Sequence, residues 1–253
     1  MRVIRDVAYV KNRKRAASLT SVLGVALLGV AFWLSLSAGQ DGRGVLLAYV
    51  PLLAGTVIFH FGMQQIAQWN RSPRNDNVLD ALLRGLGEKY TLVHFVPAGK
   101  RVVQHVLVHP GGLLAVTMRE LDGTVGYKDG RWSRARTGFG RLFGLGGPQL
   151  GNPTYDAESD VKALDALLAE HGHKVETDAV VAFVNPQITL NVEEPDFPVV
   201  NGDGLEPYVR LLPADPPLVP ATRQAVVALL AQGNEAEPAK PVPARRPVKR
   251  RAA

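Results

Sequence analysis

Two long apolar stretches, close to the N-terminus and to each other, dominate the hydropathy pattern of this chain. Residues 18–38 and 45–63 each contain no charged side chain, and the polar turn GQDGRG joins them. A run of about twenty uncharged residues matches the hydrocarbon thickness of a bilayer. A cleaved signal peptide is disfavoured because its apolar region is shorter and a second span rarely follows so closely. The pattern predicts a transmembrane helical hairpin with spans at 18–38 and 45–66 and an external turn at 39–44.

Shorter elements follow from residue 71 onward. Leucine stripes at helical spacing predict helices over 76–87 and 156–170, and a proline near the first turn begins a third helix over 220–232. Short apolar runs between Gly, Pro and Asp turns predict strands at 90–96, 101–108, 113–118, 124–127, 131–133 and 179–184. A helix, a run of antiparallel strands, a second helix and a further strand indicate a mixed α/β domain over 71–232, with a central sheet flanked by helices.

The basic residues are concentrated at the two ends of the chain. Residues 1–17 carry six basic side chains and one acid, and residues 233–253 carry six basic side chains and two acids. The positive-inside rule then predicts that both termini and the α/β domain face the cytoplasm of a bacterial-type inner membrane, with 1–17 as a basic arm. The Pro- and Ala-rich segment 233–253 is predicted to be a disordered tail. His60, the one ionisable residue in a span, indicates either a proton-relay site or a side chain that reaches the interface.

Residues 74–200 resemble the nuclease-related domain (NERD) family of the restriction-endonuclease-like superfamily. The likeness rests on the segments YTLVHFV, VVQHVLVHPGGLLAVTMRELDGTV, NPTYD and AVVAFVNP, and on Trp132. The resemblance implies a restriction-endonuclease-like fold, in which an Asp before His105 and a Glu-x-Lys motif at the end of the next strand would hold Mg²⁺. It also implies a Gln at the start of a later helix and a Glu near the start of the first.

This chain departs from the family at each of those reactive positions. Gln104 stands at the Asp, Thr117 and Arg119 stand at the Glu and Lys, and Asp156 stands at the Gln. Asn75 and its neighbour Asp76 are nearest to the first-helix Glu. Residues two apart on a strand share a face, so positions 117 and 119 face one cleft. Mg²⁺ is held mainly by carboxylates, and an arginine stays protonated, so these substitutions predict a catalytically degenerate domain without a cofactor. Arg119 remains a candidate to bind a phosphate of nucleic acid or lipid.

Two other functions remain open on the sequence. A divergent but active nuclease would use Mg²⁺ held by Asp76 and Asp156, although acids at helix N-termini are also explained as caps or as partners of the helix dipole. Alternatively, the chain is a membrane accessory protein whose partner is another protein. Cysteine is absent, which excludes disulfides and thiolate metal sites.

A glycine-rich loop after residue 130 carries the candidate binding residues. Arg131, Arg134, Arg136 and Arg141 stand among Phe139 and Phe143, and no acid occurs between Gly130 and Tyr155. Arginines among aromatic residues are typical of a nucleic-acid surface, and a membrane-tethered domain can also press such a loop onto anionic lipid. A solvated loop over the sheet edge is the third interpretation. The basic tail has the same candidate partners.

Overall fold

The computed structural model describes residues 1–37, 42–135, 149–214 and 216–237. The chain forms two compact units that are interleaved in sequence. One unit consists of Val7–Arg74, and the other combines Met1–Asp6 with the chain from Asn75 onward. The apolar hairpin is therefore an insertion into the α/β domain, between its first strand and its first helix.

The inserted unit consists of two long helices, α1 (Val7–Ser37) and α2 (Gly42–Trp69). Both are long and apolar enough to cross a membrane. The two apolar N-terminal helices predicted from the sequence are confirmed. Helix α1 begins eleven residues before the predicted span, because the basic segment 7–17 contains neither Gly nor Pro and continues the same helix.

Glycines allow the two helices to pack closely within this unit. A Cβ atom added at Gly24 would lie 2.5 Å from the backbone N of Phe59, and one at Gly62 would lie 2.6 Å from the backbone N of Ser21. Small residues at such crossings let helix backbones approach each other in a membrane. The His60 ring makes a 2.8 Å hydrogen bond with the Gln64 amide one turn later on α2.

A seven-stranded mixed sheet forms the centre of the α/β domain. Its strand order is β10-β1-β2-β3-β4-β7-β9. The strands are β1 (Arg2–Arg5), β2 (Thr91–Ala98), β3 (Arg101–Val108), β4 (Leu113–Arg119), β7 (Thr177–Phe183), β9 (Val199–Asn201) and β10 (Ala236–Glu237). Strands β2, β3 and β4 are antiparallel neighbours, whereas β1 is parallel to β2 and β7 is parallel to β4. The predicted mixed sheet with flanking helices is confirmed.

A smaller sheet and four helices complete the domain. The three-stranded sheet has the order β6-β5-β8. Its strands are β5 (Gly123–Lys128), β6 (Arg131–Ala135) and β8 (Ile188–Val192). The helices are α3 (Asn75–Leu82), α4 (Pro153–Glu170), α5 (Gly202–Leu211) and α6 (Pro220–Ala231). The predicted antiparallel run is therefore divided between two sheets after β4.

The two faces of the large sheet bury separate hydrophobic clusters. Strand β4 shows this by alternation, because Leu113 and Ala115 belong to one cluster and Leu114 and Val116 to the other. The first cluster includes residues of α4 and α6, and the second includes residues of α3 and α5. We call these the α4 face and the α3 face.

The observed domain differs from the predicted range of 71–232 at both ends. The basic arm predicted over 1–17 is divided between strand β1 and helix α1, and Ala236 and Glu237 from the predicted tail pair with Ile4 and Val3. Strands of two to four residues carry too few positions to show a period. The sequence pattern therefore contains no signal for β1, β9 or β10, although all three belong to the sheet.

Candidate functional site

Thr117 and Arg119 lie at the end of β4 on the α4 face. Thr117 pairs with Val181 and Arg119 with Phe183 of the parallel strand β7. Thr117 is 4% exposed, and its hydroxyl has no hydrogen-bond partner among the residues that the structure describes. A buried hydroxyl is a neutral group, so Thr117 supplies no charge that would hold a divalent cation.

Arg119 is held by three acceptors. Its Nε donates to the Leu150 carbonyl at 2.9 Å and its Nη1 to the Met118 carbonyl at 3.0 Å. Its Nη2 forms a charge-assisted hydrogen bond with the Asp156 carboxylate on α4. Each nitrogen of the guanidinium thus has a partner within the domain. The Arg119 guanidinium and the Asp156 carboxylate therefore neutralise each other.

A second ion pair lies beside the first. The Nε of Arg101 donates to the Asp160 carboxylate at 2.5 Å, and its Nη2 lies 3.5 Å from the Asp156 carboxylate. Burial lowers the pKa of Arg101, but hydrogen bonding to Asp160 and the charges of Asp160 and Asp156 raise it more. Burial, with a smaller contribution from the Asp156 charge, raises the pKa of Asp160 despite the opposing Arg101 guanidinium. Two guanidiniums and two carboxylates form the cluster.

The start of α4 positions Asp156. Asn152 caps the helix by accepting a hydrogen bond from the Tyr155 amide at 3.2 Å, and Pro153 occupies the first turn. The helix begins three residues earlier than predicted, so Asp156 lies within the first turn rather than at the cap. The Trp132 indole donates to the Thr154 hydroxyl at 2.9 Å and packs on Phe183, which fixes this turn against both sheets.

Gln104 does not join this cluster. Its side chain is exposed, and Gln104 precedes by two residues the first β3 residue that pairs with β4, Val106. Among the residues that the structure describes, the Gln104 side chain has no hydrogen bond or ion pair. We expected Gln104, Thr117, Arg119 and Asp156 to converge on one face. The structure brings together the last three of them.

The acids of the alternative metal site lie on opposite faces of the sheet. Asn75 and Asp76 begin α3, whose Val78 and Leu79 pack on the α3 face, whereas Asp156 belongs to the α4 face. The Asp76 carboxylate lies 2.9 Å from the Nε of Arg5. Within the described ranges, no three His, Asp or Glu side chains form a group with metal-site geometry. The arrangement offers no common ligand position for Asp76 and Asp156.

The basic loop is described only at its start. Arg131 begins β6 and is exposed, and Arg134 is paired with the Asp122 carboxylate while its Nε donates to the Asp122 carbonyl at 3.2 Å. Arg136 and Arg141 lie outside the described residues. Of the described candidates, Arg131 is therefore more available to an anionic partner than Arg134.

A buried polar network on the α3 face was missed by the sequence interpretation. We define it as Arg5, Asp76, Asp80, His94 and His105, each at most 4% exposed. Nη2 of Arg5 lies 2.5 Å from Asp80, whose second oxygen lies 2.8 Å from Nε2 of His94, and Nδ1 of His94 lies 2.8 Å from Nδ1 of His105. The only sequence signal is the position of His94 and His105, which face each other across the predicted strand pair.

Comparison with protein-family models, with curated proteins and with solved structures gives no match to this chain.

Proposed function

We propose that this chain is a two-span protein of a bacterial-type cytoplasmic membrane, whose cytoplasmic α/β domain is a degenerate relative of the nuclease-related domains. In this proposal the domain acts by binding rather than by cleavage. The exposed part of the basic loop and the basic C-terminal tail are the candidate contacts for nucleic acid or anionic lipid. An exclusively protein partner and an active Mg²⁺ nuclease are the competing functions that the experiments below distinguish.

The ion pair between Arg119 and Asp156 is the observation that carries the proposal. In the family that the sequence resembles, position 117 would supply an acid to a cation and position 119 a lysine to the scissile phosphate. Here position 117 holds the neutral Thr117, and Asp156, the nearby acid, is committed to the Arg119 guanidinium. Arginine does not act as a general base near neutral pH. The cluster is suited to fixing α4 on the sheet.

The interleaved fold supports the two-span topology independently of the basic flanks. Strand β1 precedes the hairpin, yet it pairs with β2, which follows the hairpin. Residues 1–6 and the chain from residue 75 must therefore share one compartment. A membrane-inserted segment between them crosses the bilayer an even number of times, and two helices satisfy this requirement. The basic flanks then favour the cytoplasm as that compartment.

Cysteine labelling in intact cells tests this topology, because the natural chain contains no cysteine. We expect Gln40→Cys, in the turn between the spans, to react with a membrane-impermeant maleimide before lysis. Asn70→Cys, after the second span, serves as the matched control and should react only after lysis. Labelling of Asn70→Cys in intact cells, or protection of Gln40→Cys, would contradict the proposed orientation.

A cleavage assay tests the degenerate site. We expect the full-length protein in detergent, with Mg²⁺ or Mn²⁺, to show no DNA or RNA cleavage that depends on Asp156. Asp156→Ala is compared with Glu158→Ala, which removes an exposed acid of the same helix that pairs with Lys162. Metal-dependent cleavage that Asp156→Ala abolishes and Glu158→Ala retains would overturn the proposal. Binding of the same nucleic acids, and of vesicles with and without anionic lipid, separates the candidate partners.

A further inference from the structure

The buried polar network joins four elements on the α3 face. Arg5 belongs to β1, Asp76 and Asp80 to α3, His94 to β2 and His105 to β3. Glu237 of β10 lies 3.5 Å from Nη1 of Arg5; its side chain is 29% exposed, but the oxygen that faces Arg5 is buried. Ionisable side chains are rarely buried unless they are paired. Five of them at one place make this network the least expected feature of the domain.

Through Arg5, the network attaches β1 to helix α3 by side-chain contacts. Ile4 packs on the α4 face, and Arg5 points to the opposite face, where it meets both acids of α3. Arg5 is paired with His94 in the parallel register of β1 and β2, and the Asp6 amide donates to the His94 carbonyl at 3.4 Å. The next residue begins the membrane helix α1. Any change at His94 therefore acts directly beside the connection to the membrane.

The contact between the two histidines tolerates only one proton between their facing nitrogens. A hydrogen bond from Nδ1 to Nδ1 at 2.8 Å requires one nitrogen to donate and the other to accept. The Nε2 of His94 is engaged with Asp80, and within the described residues the Nε2 of His105 is buried without a partner. A proton added to His105 would therefore occupy a buried nitrogen that has no acceptor, and the resulting cation would lie in the same network as the Arg5 guanidinium.

We propose that the buried polar network is a pH-sensitive latch, which holds β1 in the sheet at neutral pH and releases it on acidification. The groups that face the two histidines are Asp76 and Asp80 from α3 and Arg5 from β1, with Glu237 of β10 beyond Arg5. This inference does not depend on what the domain binds.

The electrostatics of His105 give the direction of the effect. Burial, followed by the charges of His94 and Arg5, lowers its pKa well below 6.5, and the Asp76 charge opposes this shift. The released state therefore binds the proton more readily than the closed state. Release that exposes the His105 ring to water returns its pKa toward the ordinary value of about 6.5, so acidification below that pH favours the released state by at most about tenfold for each unit of pH.

Hydrogen exchange of the full-length protein in nanodiscs tests the latch. Rates at pH 7.5 and 5.5, corrected for intrinsic exchange, are compared for the amides of β1 and for those of β7 in the sheet centre. We expect β1 to lose about tenfold in protection at pH 5.5 and β7 to stay unchanged. His105→Gln retains a hydrogen-bonding amide but does not titrate, so β1 should be equally protected at both pH values.

His109→Gln is the matched control, because His109 is the other buried histidine whose pKa burial lowers, and it lies at the turn after β3. This variant should retain the loss of protection at β1. Constant protection of wild-type β1, an equal loss in β1 and β7, or a pH effect that survives in His105→Gln would each overturn the latch. If His105→Gln does not fold, His105→Asn provides the same comparison, and the wild-type contrast between β1 and β7 remains decisive.

Discussion

Arg5→Ala should lower the free energy of unfolding of the α/β domain by about 3–5 kcal/mol, the cost of breaking a buried ion pair. The Arg5 side chain is 4% exposed and lies 2.9 Å from Asp76 and 2.5 Å from Asp80. The substitution leaves two carboxylates buried without their cation. Their desolvation is then no longer offset, which makes this loss larger than that of any exposed ion pair in the domain.

Chemical unfolding of the full-length protein measures this effect. Trp132 reports on the α/β domain when Trp33 and Trp69, which lie in the two apolar helices, are replaced by Phe. Arg2→Ala is the matched control, because Arg2 lies in the same strand but is exposed, and it should change stability by less than about 0.5 kcal/mol. Asp76→Asn and Asp80→Asn in the Arg5→Ala background should recover part of the loss. A loss below about 1 kcal/mol would contradict the role assigned to Arg5.

Removing residues 1–6 should prevent the α/β domain from folding. Val3 and Ile4 are almost fully buried, and each contributes about 1.5–3 kcal/mol by the transfer of its side chain from water. Together with Arg5 this is on the order of 6–11 kcal/mol, comparable with the total stability of about 5–15 kcal/mol of a typical domain. A fragment of residues 75–237 should therefore lack a cooperative unfolding transition.

A single-chain version in which a Gly/Ser linker replaces residues 7–74 should restore that transition, because it returns β1 to the sheet without the hairpin. The protein of residues 1–237, which includes the hairpin, is the matched control, because it lacks only the basic tail and keeps both β1 and β10. Circular dichroism and thermal scans distinguish the three proteins. Cooperative folding of 75–237 alone would show that β1 is dispensable.

Part of the candidate site could be predicted from local spacing. Thr117 and Arg119 share a face because a strand alternates with period two, and Asp156 approaches them because it begins a helix that packs on that face. Gln104 could not be placed in the same way. Val93 and Val96 both pack on the α4 face, so alternation is interrupted between them, where Phe95 has a φ of 64°. The interruption lies opposite Gln104, and no residue pattern signals it.

Features that depend on neighbours along the chain could be predicted from the sequence. The two apolar helices and the central strands β2, β3, β4 and β7 each have a local physical cause in runs of hydrophobic residues, whereas the capped start of α4 and the strand β8 were missed. The domain boundary and the buried polar network could be recognised only in the tertiary structure. Residues 2–5 reach residues 91–94 across the whole inserted hairpin, and a four-residue strand has no period to reveal its partner. Burial of Arg5, His94 and His105 likewise follows from that pairing, because composition assigns such residues to the surface until a distant partner neutralises them.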